Sequence, residues 1–113
     1  MLATRKARAV GVHHVTLKVG DVDEALDFYG RLFDFELVDR NDASAVLDFV
    51  DQFLLLQKNA APRADDGRHV GLVVDDRKAV QRALADAGIT PLPGPLLHFL
   101  DPWGNRVEIV CYD

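Results

Sequence analysis

The stretch HVTLKVGD, His14–Asp21, decides the fold, because the chain repeats it 55 residues later as HVGLVVDD, His69–Asp76. Five of the eight positions are identical, and both copies place apolar residues at alternate positions, as a strand with one buried face does. A helical pattern follows each copy. The sequence therefore predicts two units of the same design, and neither unit alone would cover both faces of its sheet.

The first unit continues from this strand into a helix and three further strands. Asp21 is a candidate N-cap with Glu24 three residues later, and apolar residues then recur at helical spacing. Gly30 within this helix predicts close packing against a sheet. The three strands are predicted as an antiparallel meander over residues 35–40, 43–50 and 52–58.

The second unit repeats this order after a linker at residues 59–67. Asp75 or Asp76 is predicted to cap its helix, which ends at Gly88. Three strands follow, over residues 90–92, 96–100 and 105–112. The predicted fold class is α+β, with two tandem βαβββ modules that form a curved mixed sheet. The domain spans residues 1–113, with module 1 at about 10–58 and module 2 at about 68–113.

Composition excludes several classes of partner. The chain has 113 residues and a formal net charge of −5, so nucleic acid is an unsuitable partner, because phosphate binding needs a basic face. No apolar segment approaches the length of a membrane span, and no signal-peptide pattern is present. The one cysteine, Cys111, fits a reducing compartment. We therefore expect a cytoplasmic protein with a small-molecule partner and no nucleic-acid or membrane partner.

Strand alternation places three metal-binding residue types on one face. In the first strand Val15, Leu17 and Val19 point to the helix, and in its repeat Val70, Leu72 and Val74 do so. His14 and His69 therefore point to the opposite side. The same alternation in the last strand sends Glu108 to that side. A carboxylate in so apolar a strand needs a partner, a metal or a wet cavity. Two imidazoles and one carboxylate form a facial triad, which leaves positions open on a divalent metal.

Other side chains on this face are predicted to line a substrate pocket. They are Thr16, Lys18, Phe53, Leu55, Gln57, Val73, Arg106 and Val110. The long Lys18 and Arg106 side chains have the alternative of reaching solvent, and core packing alone would explain the apolar members. The repeat aligns Leu55 with Glu108, so the first unit lacks the symmetric carboxylate. Gln57, one step along the same face, is a weak candidate for a fourth ligand.

The turn DPWGN, residues 101–105, separates two more residues of interest. His98 precedes it and is predicted to face the cavity, either as a general acid or base or as a hydrogen-bonded histidine at the rim. Trp103 lies in the turn itself, where an exposed position, a lid and a subunit interface are all open alternatives.

A resemblance to the vicinal oxygen chelate superfamily, also called the glyoxalase/bleomycin resistance/dioxygenase group, rests on the stretches HHVTLKVGDVDEALDFYGRLF, HVGLVVDD and HFLDPWGNRVEIV. It extends from about Val10 to Tyr112. It implies paired modules that form a cup around a divalent metal, with His14, His69 and Glu108 at the ligand positions. Modules of this superfamily commonly pair between chains. We expect a homodimer, because open cups leave sheet edges exposed.

The resemblance implies a metal-dependent enzyme that acts on a small molecule with vicinal oxygens, by dioxygenase, lyase or isomerase chemistry. One Fe²⁺, Mn²⁺, Zn²⁺ or Ni²⁺ ion per site would act as a Lewis acid, with His98 and Glu108 as the catalytic candidates. Glyoxalase I uses a fourth ligand, usually Glu, where Leu55 stands, so this chain departs from it. The extradiol dioxygenase pattern has Tyr in place of His98. The alternative is a non-catalytic binding or drug-resistance protein that sequesters a small molecule.

Overall fold

The structure, a computed structural model, describes residues 6, 13–50, 52–59 and 69–112. Its elements are β1 (His14–Val19), α1 (Val22–Leu32), β2 (Glu36–Arg40), β3 (Ser44–Phe49), β4 (Gln52–Lys58), β5 (His69–Val73), α2 (Arg77–Asp86), β6 (His98–Leu100) and β7 (Arg106–Val110). Most of the predicted linker and the predicted starts of both modules lie outside the described residues, so these boundaries stay predictions.

The first module builds a four-stranded sheet in the order β1-β4-β3-β2. β1 runs parallel to β4, and β3 is antiparallel to both of its neighbours. The Asp21 carboxylate accepts a hydrogen bond from the Glu24 N–H at 2.9 Å, so the predicted N-cap of α1 is confirmed. Gly30 is exposed, and a Cβ built there would meet nothing within 4 Å. The predicted close packing at Gly30 is therefore wrong.

The second module builds a three-stranded sheet in the order β5-β7-β6, with β5 parallel and β6 antiparallel to β7. Asp76, not Asp75, caps α2 by accepting from the Ala79 N–H at 3.1 Å. The strand predicted at residues 90–92 does not form. Pro91 and Pro93 lack N–H donors, which prevents a continuous ladder, and only the Leu92 N–H bonds to a neighbouring strand, at 2.8 Å from the His98 carbonyl oxygen.

The first and last strands of the two modules pair in the same register within each module. Thr16 of β1 pairs with Leu55 of β4, and Gly71 of β5 pairs with Glu108 of β7. Since Thr16 and Gly71 are equivalent in the repeat, Leu55 and Glu108 occupy equivalent positions. The alignment that removes a symmetric carboxylate from the first module is therefore confirmed.

Each sheet buries its helix side and leaves the other side accessible; we call the accessible side the open face. The buried strand residues are Leu17, Val19, Ala45, Leu47, Leu54, Leu56, Val70, Leu72, Phe99, Val107 and Ile109. Exposed or half-buried residues alternate with them along β1, β4, β5 and β7. Among the described residues no strand pairing joins the two sheets, and β1 and β5 are edge strands. The described residues thus form two mixed sheets, each with its own open face, and the predicted α+β class is confirmed.

Candidate metal and substrate site

His69 and Glu108 meet on the open face of the second sheet. They extend from neighbouring parallel strands, and His69 Nε2 lies 3.4 Å from Glu108 Oε2. Their side chains are 51% and 24% exposed, so an incoming ligand can reach both. The carboxylate is paired with an imidazole and not with an arginine. Imidazole and carboxylate are a donor set that suits a divalent transition metal.

His14 lies on the other sheet, at the start of edge strand β1. Its Nδ1 lies 3.0 Å from Nδ1 of His13, and the two rings meet edge to face. Within the part of the chain that the structure describes, no three His, Cys, Asp or Glu side chains gather into a metal site. One chain thus brings together two of the three predicted ligands, while His14 occupies the repeat-equivalent position of His69 on the other edge strand.

His98 shares the open face with Glu108. The β6–β7 register places the two residues directly opposite each other. His98 Nε2 lies 3.2 Å from the Pro93 carbonyl oxygen, which can only accept, so Nε2 carries the proton and donates it. This is the hydrogen bond that the rim-histidine interpretation requires. In the neutral ring it leaves Nδ1 as an acceptor that faces no fixed partner among the described residues.

The predicted pocket residues of the first module also lie on an open face. Thr16 and Lys18 are exposed, and Phe53 and Leu55 are half-buried. The Lys18 ammonium donates a hydrogen bond to Gln57 Oε1. This hydrogen bond engages the amide oxygen that Gln57 would need as a fourth metal ligand. Gln57 also pairs with Lys18 in the β1–β4 register, one step beyond the position equivalent to Glu108.

In the second module, Val73 is 64% exposed, and Val110 and Arg106 are half-buried. Two described side chains, Arg106 and Asp48, each keep one buried polar atom, Nε and Oδ1 respectively, without a hydrogen-bond partner. Arg106 pairs with His69 in the β5–β7 register and therefore flanks the His69–Glu108 pair.

Asp101 is a structural centre that sequence reasoning missed. It is 4% exposed, and its carboxylate accepts four hydrogen bonds. Oδ1 accepts from the backbone N–H groups of Trp103 and Asn105 at 2.9 and 2.8 Å. Oδ2 accepts from the Tyr29 hydroxyl at 2.9 Å and from Asn105 Nδ2 at 2.8 Å. Burial, then the charge and the hydrogen bond of Asp101, raise the pKa of Tyr29 well above its ordinary value.

This cluster, which we call the Asp101 clamp (Tyr29, Asp101, Trp103 and Asn105), joins the two modules. Asn105 Nδ2 also donates to the Lys18 carbonyl oxygen at 2.7 Å, at the end of β1. The Trp103 indole lies so close to Gly20 that a Cβ there would overlap it. Trp103 is therefore a contact between modules. Two features of the sequence could have indicated this cluster. One is the turn-forming Asp before Pro-Trp-Gly-Asn. The other is a Tyr in an apolar helical stripe, because a buried Tyr hydroxyl needs a hydrogen-bond partner.

Neither of the two described helices has the length and apolar composition of a membrane-crossing helix. Comparison with curated proteins finds two relatives. Glutathione transferase FosA of Serratia marcescens is 27% identical over 110 residues, which cover 87% of this chain and 78% of that protein. Lactoylglutathione lyase of Pseudomonas putida is 35% identical over 57 residues, which cover 50% of this chain and 33% of that protein.

Solved structures and a family model extend the comparison. A protein described as a possible glyoxalase from Bacillus cereus is 26% identical with a TM-score of 0.75, over 91% of this chain and 100% of that one. The fosfomycin resistance protein FosX from Listeria monocytogenes has a TM-score of 0.80 over 94% of this chain and 96% of that one, and its 14% identity shows the fold alone. The model of one family matches residues 11–109. The chain therefore belongs to the Glyoxalase/Bleomycin resistance protein/Dioxygenase superfamily.

Proposed function

We propose that the protein is a divalent-metal-dependent enzyme that acts on a small molecule with vicinal oxygens, and that a second copy of the chain completes its site. The observation that carries the proposal is the accessible pair of His69 Nε2 and Glu108 Oε2, 3.4 Å apart. Two donors alone do not form a three-ligand centre. The third, His14, stands at the equivalent place on the edge strand of the other module.

A homodimer would supply the missing neighbour for each edge. β1 and β5 are both edge strands, and such edges expose backbone donors and acceptors that readily pair with another chain. If β1 of one copy lies beside β5 of the other, His14 of the first copy joins His69 and Glu108 of the second. Two-fold symmetry then gives two identical sites for each dimer.

Each residue of such a site has its own task. His14, His69 and Glu108 would hold one Fe²⁺, Mn²⁺, Zn²⁺ or Ni²⁺ ion, which would supply Lewis acidity to adjacent substrate oxygens. His98 lies opposite Glu108 and has Nδ1 available to accept a substrate proton. The open-face side chains orient the substrate and exclude water from it: Thr16, Lys18, Phe53, Leu55, Gln57, Val73, Arg106 and Val110.

The first module narrows the chemistry. Leu55 occupies the position equivalent to Glu108, so a four-ligand centre of the glyoxalase I kind has no fourth carboxylate. The three-ligand branch is therefore favoured over glyoxalase I. Both curated relatives carry glutathione in their names, which makes glutathione the first co-substrate to test in addition to dioxygen.

The second candidate function is non-catalytic binding of a small molecule, including drug sequestration. It is favoured by the fact that no three metal donors gather within the described residues of one chain. The open faces also carry apolar side chains such as Phe53, Leu55 and Val73, which suit a binding cup without chemistry.

Metal content separates the two functions. Protein purified without chelator, loaded with Zn²⁺ or Mn²⁺ and freed of excess ion should retain about one ion per chain. His69→Ala and Glu108→Gln should each lower the retained metal well below this value, because each removes a ligand. Glu24→Gln, on the exposed surface of α1, is the matched control and should retain the wild-type amount. Retention that is unaffected by both site variants would reject the metalloenzyme and favour sequestration.

A further inference from the structure

Arg106 carries a buried hydrogen-bond donor that lacks an acceptor. Its Nε is buried and unpartnered, although the residue as a whole is only half-buried. A guanidinium remains charged at every physiological pH and offers its N–H groups in a rigid fork. Buried donors of this kind are rarely left unpaired, because a charged group that loses water without gaining an acceptor is costly. Because Nε itself has no accessible surface, an acceptor from outside would meet the guanidinium at its terminal N–H groups, which make no hydrogen bond or ion pair within the described residues.

The neighbours of Arg106 show where this acceptor would lie. Across the strand registers Arg106 pairs with His69 on one side and with Leu100 on the other. Glu108 lies two residues further along β7 on the same face, yet its carboxylate contacts His69 and not the guanidinium. The fork thus stands beside the candidate metal-binding pair and makes no ion pair within the described residues.

We infer that Arg106 binds an oxyanion of the substrate, a carboxylate or a phosphoryl group. The inference rests on the proposed function, which places the vicinal oxygens of the substrate at His69 and Glu108. It adds that the substrate also carries a negative charge. Guanidinium matches two oxygens of a carboxylate or phosphate through parallel N–H groups. The substrate class is therefore a small anion whose charged group lies near its vicinal oxygens, because Arg106 pairs with His69 and lies on the same face as Glu108.

An anionic substrate would also need a positive charge near its binding site in this protein. The chain has a formal net charge of −5, so its general field repels anions. Among the residues of β5, β6 and β7, Arg106 is the one permanent positive charge on the open face. The other buried atom without a partner, Asp48 Oδ1, lies on the first sheet. A contact between Arg106 and Asp48 of a second copy is the competing explanation.

Anion titration of metal-free protein tests the inference. The probes are inorganic phosphate and oxalate, one for each source of the oxyanion, at low ionic strength. We expect the Nε–H resonance of Arg106 to shift saturably in a ¹H–¹⁵N spectrum with at least one probe. Calorimetry should give a Kd weaker by about tenfold or more for Arg106→Gln, because a charge-assisted hydrogen bond is lost. Arg82→Gln, at an exposed position on α2, removes the same charge and should keep the wild-type Kd.

Two further results make the test decisive. Arg106→Lys keeps the charge but not the fork, so it should bind more weakly than wild type and more tightly than Arg106→Gln. Anion binding that is equal in wild type and Arg106→Gln, or the absence of any saturable shift, would overturn the inference. So would loss of the dimer in both Arg106→Gln and Asp48→Asn with unchanged anion affinity. Because no metal is present, failure of this subsite leaves the metal-retention result of the proposed function standing.

Discussion

Tyr29→Phe removes a single hydroxyl from the contact between the two modules. Tyr29 is fully buried, and its hydroxyl donates to Asp101 Oδ2 at 2.9 Å. A hydrogen bond to a charged group contributes about 1.5–3 kcal/mol. The ring keeps its packing against Phe28, with centroids 5.1 Å apart, and Asp101 keeps its bonds from Trp103 and Asn105. We therefore expect a loss near the lower end of that range, about 1.5–2 kcal/mol at neutral pH.

The same hydroxyl makes stability fall at alkaline pH. Burial first, and Asp101 second, raise the pKa of folded Tyr29 well above its ordinary value of 10.0. Above pH 10 the unfolded chain releases this proton while the folded chain keeps it. The stabilising contribution is therefore fully present below the unfolded pKa and is lost as pH rises toward the folded pKa. The free energy of unfolding should fall by up to about 1.4 kcal/mol per pH unit in that window.

Urea unfolding at about pH 8, 10 and 11 measures both effects at one fixed protein concentration. Tyr112→Phe is the matched control, because Tyr112 is 83% exposed. Wild type and Tyr112→Phe should lose stability together above pH 10, while Tyr29→Phe lacks the contribution of residue 29 to this slope. The gap between wild type and Tyr29→Phe should therefore narrow as pH rises. A gap that stays constant across this range would refute the buried hydroxyl as its cause.

Three substitutions and one control test the local geometry by thermal unfolding. Gly20→Ala places a methyl group in the volume of the Trp103 indole and should destabilise the protein by about 1–3 kcal/mol. Gly30→Ala, in a helix with free space around it, should stabilise it by about 0.5–1 kcal/mol, and a loss at this position would contradict the exposure of Gly30. Asp76→Ala removes the α2 cap and should cost about 1 kcal/mol, whereas Asp75→Ala should cost little.

The repeat made most of the fold predictable. Its alignment equates Leu55 with Glu108, and the strand registers reproduce this equivalence. The same reasoning failed at residues 90–92, where a third strand was expected by analogy with the first module. The position of this segment in the repeat favoured a strand there. Pro91 and Pro93 remove the backbone N–H donors on either side of Leu92, so a ladder of strand hydrogen bonds does not form at these residues.

The site was predictable only as far as local geometry extends. Alternation along a strand fixes which side His69 and Glu108 occupy, and adjacent parallel strands bring the two within 3.4 Å. Alternation along a strand does not determine how the two sheets are arranged. The position of His14 relative to His69 and Glu108 could therefore not be predicted from the sequence. The Asp101 clamp was missed for the same reason. Tyr29 and Asp101 lie 72 residues apart, and neither residue signals the other.

The decisive question about the site is whether His14 of one copy serves His69 and Glu108 of another. The Asp101 clamp ties the modules of one chain together through α1 and the turn before β7, while β1 and β5 remain edge strands of separate sheets. If the dimer pairs through those edges, the variants His14→Ala and Glu108→Gln should each lose metal alone and partly recover it when mixed. Each homodimer loses one ligand at both sites. A mixed dimer instead has one site with both substitutions and one with neither.

Random mixing of the two variants makes half of the dimers mixed, and each mixed dimer holds one intact site of two. Metal retention should therefore recover to about a quarter of the wild-type amount after subunits are exchanged, from a low level in either variant alone. Differently tagged variants and native mass spectrometry establish that mixed dimers form. Mixed dimers without any recovered metal would show that the three ligands do not share a site across the interface. Recovery would assign His14 to the partner's site, because no arrangement within one chain restores a lost ligand on mixing.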